Sequence, residues 1–335
     1  MIQDKRFDAD GNLRCFNQSQ HNNFYGDVIF VNGTPFPVLE VERRAYRFRL
    51  LNASLSRVYR LALSLPNQIK SIGATIAVIG TDEGLMPKPV YLQTDRQQIS
   101  MGVAERYDIV IDFSNYQNGD CIYLKNVGFS GVLDGDSRTQ EIMKFQVVGK
   151  AQEVSTDLPP TLPSDYQEIP ICAVTNQRTF RFTQGGGAWN INGKTWSPCR
   201  FDAAPLPNAV EIWEFVNPGS GWLHPVHPHL VRFRILDRNG TPPPAYQRGW
   251  KDVALVGEFQ KLRVLMQFSP HQGTYMMHCH NLVHEDHFMM TQFKVGTGGN
   301  DPCSRPAIPI GNNLPEMTPP PYVEVPLPSQ WPCSR

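Results

Sequence analysis

Short stretches in which apolar and polar residues alternate run through most of the chain. Tyr107, Ile109, Ile111 and Phe113 fall on one face of an extended segment, with Asp108 and Asp112 on the other, the period-two pattern of a half-buried strand. Tyr46 to Leu50 alternates aromatic and basic residues, and Val210 to Phe215 and Leu262 to Phe268 alternate as strands as well. Val28 to Val31 runs into Asn32-Gly33, and Trp189-Asn190-Ile191 into Asn192-Gly193; Asn-Gly is the dipeptide of tight hairpins, whose central residues need positive φ. Strands this short at such regular spacing predict an all-β chain built as sandwiches.

The pattern breaks in three places. Residues 1–25 are polar and irregular, with Asp10-Gly11-Asn12 as a turn. Residues 151–176 are rich in Pro, Thr and Ser, including Leu158-Pro159-Pro160 and Leu162-Pro163-Ser164, and read as an ordered linker. From 299 to 335 prolines repeat up to Trp331-Pro332-Cys333-Ser334-Arg335, a tail that carries no chemical signal. The predicted division is therefore a leading segment 1–25, a sandwich at 26–150, a linker at 151–176, a second sandwich at 177–298 and a tail at 299–335.

Composition narrows the function classes. A length of 335 residues fits about two domains. Lysine plus arginine and aspartate plus glutamate both number 31, and a net charge of zero argues against a nucleic-acid partner. No apolar run approaches the roughly 20 residues of a membrane span. Met1 is followed directly by polar residues, so no signal peptide is expected within this sequence. Four N-x-[ST] sequons, at Asn17, Asn32, Asn52 and Asn239, lend slight support to secretion.

The chemistry concentrates in two stretches, His278 to Met290 (His-Cys-His-Asn-Leu-Val-His-Glu-Asp-His-Phe-Met-Met) and His224-Pro225-Val226-His227-Pro228-His229, which hold seven of the nine histidines. A thiolate, imidazoles and a weak thioether are the ligands of a blue-copper site. Zinc also takes Cys and His, but its structural sites favour paired C-x₂₋₄-C spacings that this sequence lacks. If Tyr275 to His280 is extended, His278 and His280 point one way and Cys279 the other. One strand then presents a thiolate to one centre and imidazoles to another. That assigns His224, Cys279, His284 and Met289 to one copper, and leaves His227, His229, His278 and His280 to face a second cluster. With Cys279 so assigned, Cys15, Cys121, Cys172, Cys199, Cys303 and Cys333 remain, an even number that permits disulfides.

These stretches resemble the third-domain copper motifs of the multicopper oxidases, H-P-x-H-x-H and H-C-H-x-x-x-H-x-x-x-x-M, within the branch of bilirubin oxidases and spore-coat laccases. Gly221-Trp222-Leu223-His224, Arg248-Gly249-Trp250-Lys251-Asp252-Val253 and His284-Glu285-Asp286 are similar to that branch. Val31-Asn32-Gly33, Tyr46 to Ser54 and Ala104-Glu105-Arg106-Tyr107-Asp108 resemble its second cupredoxin domain, and Ile2 to Phe7 the segment that leaves its first. The resemblance covers about three quarters of the chain. It implies two cupredoxin-like Greek-key sandwiches, the first copper-free and the second copper-binding. It also implies a copper oxidoreductase, secreted or extracytoplasmic, that couples one-electron oxidation of small organic donors to reduction of dioxygen to water. On the same footing His227 belongs to the mononuclear member of a three-copper cluster, and His229, His278 and His280 to its paired members.

Three further residues are expected to act at the site. Glu285 matches a family acid near the oxygen-reducing cluster and is placed to relay protons. Trp222, two residues before His224, is expected to line the donor site. Asn281 is expected to hydrogen-bond around the copper loop and the Cys279 sulfur. Pro228 stands where the family usually has a non-proline residue, which removes one backbone donor. The ten methionines are scattered, which favours phenols, aromatic amines or tetrapyrroles over Cu(I) as donor.

The family's cluster takes eight histidines, and these stretches supply four. The histidines given no copper, His21, His271 and His287, form no His-x-His pair, so the expectation is a chain of second and third domains without the first. Two alternatives follow: a blue-copper electron-transfer or copper-binding chain, or a subunit whose partner supplies the His-x-His pairs. A copper nitrite reductase is disfavoured, because its blue-site cysteine is not flanked on both sides by cluster histidines.

Overall fold

Tyr107, Ile109 and Ile111 lie on the strand Arg106–Asp112 and are buried, as the alternation requires. In the computed structural model, which describes residues 1–15, 22–65, 76–92, 98–128, 139–151 and 157–296, this strand joins Ala45–Leu51, Ile76–Thr81 and Gly84–Leu92 in a four-stranded sheet. Facing it is a five-stranded sheet of Val38–Arg43, Glu141–Ala151, Cys121–Asn126, Tyr59–Ser64 and Ile99–Met101. Ile76, Val78 and Ile109 from one sheet and Leu61, Ile122, Phe145 and Val147 from the other share one apolar core.

A second sandwich repeats the plan. Its five-stranded sheet runs Ala188–Ile191, Val174–Gly185, Val210–Asn217, Gln260–Gln267 and Phe233–Arg238. Its four-stranded sheet runs Ala254–Val256, His224–Pro228, Gly273–Cys279 and Met290–Val295. Phe180, Trp213, Phe215 and Leu262 pack from the first against Val226, Met277, Cys279 and Phe293 from the second. Each sandwich contains one parallel pair, Val38–Arg43 with Glu141–Ala151 and Val174–Gly185 with Val210–Asn217. Parallel neighbours cannot be joined by a hairpin, so the chain crosses between sheets, as cupredoxin-like sandwiches do.

Two details differ from the sequence reading. Ile2–Lys5, expected to be irregular, is a strand paired with Val28–Val31. It is held because Ile2 and Asp4 alternate into the interior, where Asp4 meets the buried Arg57 guanidinium at 2.8 Å. Asn52, one of the sequon asparagines, is fully buried and donates to the carbonyls of Arg57 and Met101, so it is a structural residue and not a glycan acceptor.

The linker is ordered over its described part. Leu162 N–H donates to Pro87 C=O at 2.9 Å, and Asp165 and Glu168 pair with Arg232 and Arg234 of the second sandwich. The strand after it begins at Val174, a few residues before the position near Arg178 that the sequence suggested. Cys15, Cys172 and Cys279 are free, whereas Cys121 and Cys199 are disulfide-bonded. His21, Cys303, Cys333 and the tail 299–335 lie outside the described residues, as does Asn17.

Candidate metal centre

The strands His224–Pro228 and Gly273–Cys279 run antiparallel, with His227 opposite His278 and Val226 opposite Cys279. Pro228 lies inside this pairing opposite Met277, and the next residue restores a backbone bond, His229 N–H to Met276 C=O at 2.9 Å. The alternation along the strands separates two groups of donors. Cys279 turns into the apolar core of the sandwich, while its neighbours His278 and His280 turn out of it.

The first group is His224, Cys279 and His284, whose ligand atoms lie within 4.8 Å of one another. Cys279 Sγ is 3.5 Å from His224 Nδ1 and 3.7 Å from His284 Nδ1. His284 reaches it from a single helical turn, Leu282–Asp286, that begins where the strand ends. The Asn281 side chain caps that turn by accepting from Val283 N–H, an arrangement Asn favours. Met289 closes the loop: Cys279 N–H donates to Met289 C=O at 3.1 Å, and Met289 N–H donates to His284 C=O at 3.0 Å. Met289 is fully buried in the same core, whereas Met290 is half-buried.

Burial sets the protonation of this group. It lowers His224 to about 3 and takes His284 well below the ordinary imidazole value. The same burial pushes the Cys279 thiol up, opposed by a hydrogen bond from the Asn281 backbone. Neutral imidazoles with free lone pairs and a thiol that ionises only against a cation are a fitting donor set for a soft metal ion.

The second group is His227, His229 and His278, whose ligand atoms also fall within 4.8 Å of one another. His229 Nε2 is 3.1 Å from His278 Nε2, and the His280 ring centre is 5.1 Å from that of His278. Burial followed by repulsion from its neighbouring imidazoles lowers His229 to about 4, and burial lowers His227 and His280. The far nitrogens of two rings are held. His227 Nδ1 lies 2.6 Å from the carbonyl of Asp252, and His278 Nδ1 lies 3.3 Å from the carbonyl of Cys279, with Glu285 Oε2 close by at 3.0 Å. Outer contacts of this kind orient metal-binding histidines.

Of the residues expected to act beside the metal, Glu285 therefore stands with the imidazole group. Trp222 is half-buried, with its ring centre 5.9 Å from that of His284. The Asn281 side chain caps the helical turn, meets Ser56 and Asn23 at 2.9 and 2.7 Å and lies 3.3 Å from His284 Nε2, while its backbone contacts the Cys279 sulfur. His271 and His287 join neither group.

Sequence reasoning missed the groups that pack around these donors. Trp189 lies against His284 with ring centres 3.9 Å apart, and the Phe182 ring stacks near His224 at 5.9 Å. The sequence signal at Trp189 was an ordinary strand before an Asn-Gly turn. Ser56 and Asn23 left no local signal, and Arg106 and Asp252 stood only inside motifs that resemble the family, with no role read for them.

Comparison with known proteins points to one family. The multicopper oxidase family model matches residues 170–299. A bilirubin oxidase from Albifimbria verrucaria is 37% identical over 305 residues, covering 88% of this chain and 52% of that protein. A laccase from Bacillus subtilis is 36% identical over 290 residues, covering 80% and 54%. The crystal structure of the McoA multicopper oxidase from Aquifex aeolicus superimposes with a TM-score of 0.79 at 34% identity, covering 88% of this chain and 65% of that one. The chain thus spans about half the length of the curated relatives it matches. With two cupredoxin-like sandwiches and both groups of donors in place, the chain belongs to the multicopper oxidase family.

Proposed function

We propose that this chain carries the copper chemistry of a laccase- or bilirubin-oxidase-like enzyme. Such an enzyme takes single electrons from phenols, aromatic amines or tetrapyrroles and passes four of them to dioxygen, forming water. The observation that carries the reading is the division of donors along one strand. Cys279 belongs to a thiol–imidazole group in the core, and the adjacent His278 belongs to an imidazole group on the other side.

On this reading His224, Cys279 and His284 would hold a single copper, with the buried Met289 as a further, weak ligand. His227 serves the mononuclear member of a cluster, and His229, His278 and His280 serve its pair. Copper, when bound, supplies one-electron redox chemistry at the first group and oxygen binding at the second. The protein does the rest. Trp189 and Trp222 pack against His284, and the half-buried Trp222 would be the aromatic face that an electron donor meets. Asn281 fixes the loop between Cys279 and His284. Glu285, 3.0 Å from His278 Nδ1, would hold and pass a proton beside the imidazole group.

The sandwich at 26–150 is then a copper-free brace, 151–176 a linker, and 177–298 the copper-bearing unit. The disulfide-bonded Cys121 and Cys199 favour an extracytoplasmic setting. Four imidazoles are half of what the family's cluster takes, so the remaining His-x-His pairs come from outside these 335 residues. That same shortfall supports a second reading, in which only the thiolate site fills and the chain transfers electrons. Oxygen uptake by the copper-loaded chain with a phenolic donor separates the two. The measurement is repeated after adding a polypeptide that bears two His-x-His pairs. Uptake only with the added polypeptide supports the oxidase reading. Blue protein without uptake in either case supports electron transfer, and uptake by the chain alone contradicts the proposed ligand count.

A further inference from the structure

The carbonyl that holds His227 belongs to a stretch that the second sandwich does not secure by itself. Residues 250–253 lie outside its strands, tied to it by a bridge between Lys251 and Phe233. Arg232 of the second sandwich and Tyr166 of the linker pack on the Trp250 ring, while the remaining polar anchors come from the first sandwich. Thr81 Oγ1 donates to Trp250 C=O at 2.6 Å, and Glu83 N–H donates to the same carbonyl at 3.2 Å. Asp252 N–H donates to Asp82 Oδ2 at 3.3 Å. The fully buried Lys251 ammonium sits 2.9 Å from Asp82 and 3.1 Å from Glu105. Arg106 then grips the Asp252 carboxylate with both arms, at 2.6 and 2.9 Å. Its own fork is fixed by the carbonyls of Ala104 and Asp82, at 3.2 and 3.0 Å. Glu83 is the remaining charged neighbour, 3.5 Å from Arg106.

Gly249 is part of the fit. A Cβ there would collide with the Thr81 side chain, so only glycine lets the two sandwiches close at this point. The outcome is a continuous path of contacts, from Arg106 through Asp252 to the ring of His227. A bidentate guanidinium–carboxylate pair fixes direction as well as distance. The carbonyl of the residue so fixed receives His227 Nδ1–H, which leaves the Nε2 lone pair for a metal ion.

We propose that Arg106, Asp82 and the Asp252 carboxylate are positioning residues: the copper-free sandwich sets the tautomer and orientation of His227, and thereby the metal affinity of the imidazole group. This rests on the copper reading above, and it makes the first sandwich part of the site's construction as well as a spacer. It also gives a reason for glycine, lysine and aspartate in Arg248-Gly249-Trp250-Lys251-Asp252, none of which touches a metal-binding atom through its side chain.

The test uses the whole chain as wild type, Arg106→Ala, Arg106→Lys and Gly249→Ala. In the metal-free protein, nitrogen-15 spectra of the imidazole rings report the His227 tautomer. In the copper-loaded protein, the blue thiolate band reports the first group, and titration of further Cu(II) reports the imidazole group. The expected result for Arg106→Ala is loss of the Nδ1–H tautomer at His227 and a roughly 10- to 100-fold weaker second copper, with the blue band unchanged. Arg106→Lys recovers part of the affinity, because it keeps the charge without the fork. Gly249→Ala disturbs the tautomer without removing any charge. An unchanged tautomer and affinity in both Arg106→Ala and Gly249→Ala overturns the proposal, as does an equal loss of both copper signals. Absence of a blue band in wild type counts against the copper reading alone, since the tautomer still tests the positioning.

Discussion

At the scale of single residues, the site is a matter of what burial does to donors. Cys279 and His224 sit in an apolar core where an unpaired charge is costly, so the metal-free group is a thiol beside neutral rings. Cys279→Ser keeps the volume and removes the soft thiolate. The expected outcome is a folded protein, by circular dichroism, that forms no blue band with copper. The imidazoles give a pH dependence. In an unfolded chain they take up protons below about pH 6.5, whereas burial keeps His224 neutral to about 3 and His229 to about 4. Between those limits the unfolded state binds more protons, so stability of the metal-free protein falls as pH drops from 6.5 toward 4. Urea midpoints at pH 7 and pH 5 check this, and an equal or higher midpoint at pH 5 contradicts it.

At the scale of elements, the loop between Cys279 and His284 depends on Asn281. Its Oδ1 accepts from Val283 N–H and Ser56 Oγ, and its Nδ2 donates to Asn23, so one side chain caps a helical turn and ties it to the first sandwich. Asn281→Ala is expected to cost about 1–2 kcal/mol as a lost cap with buried partners, read from denaturant unfolding, and to broaden the blue band. The elements also show what a sequence can disclose. The strands around Tyr107 and Trp213 and the ligand spacing at Cys279 were legible, because alternation and turn chemistry are local. Ile2–Lys5 was not, since its four residues include Asp and Lys and its burial depends on Arg57. Trp189 was legible as a strand residue but not as the neighbour of His284, which sheet pairing decides.

At the scale of the molecule, the two sandwiches are joined by buried ion pairs, by neutral hydrogen bonds and by the apolar cluster of Val58, Leu223 and Leu255. Ser56 to Asn281 spans 225 residues and Arg106 to Asp252 spans 146, separations at which no local pattern survives. Lys251 is fully enclosed between Asp82 and Glu105. Asp82→Asn weakens the contacts to Lys251 and the Asp252 N–H while Glu105 still faces Lys251, so it is expected to destabilise the chain by about 1–3 kcal/mol, measured by chemical unfolding. A loss below about 1 kcal/mol, the worth of an exposed pair, would contradict the picture of a charged joint.

The central claim is that His224, Cys279, His284 and Met289 form one thiolate-bound copper site within this chain. Its most direct measurement is tightly held copper per chain, with the visible spectrum recorded on the same sample. The account predicts a tightly held copper with an intense blue thiolate band that Cys279→Ser abolishes. Copper bound without that band, or a band that survives the substitution, would contradict it.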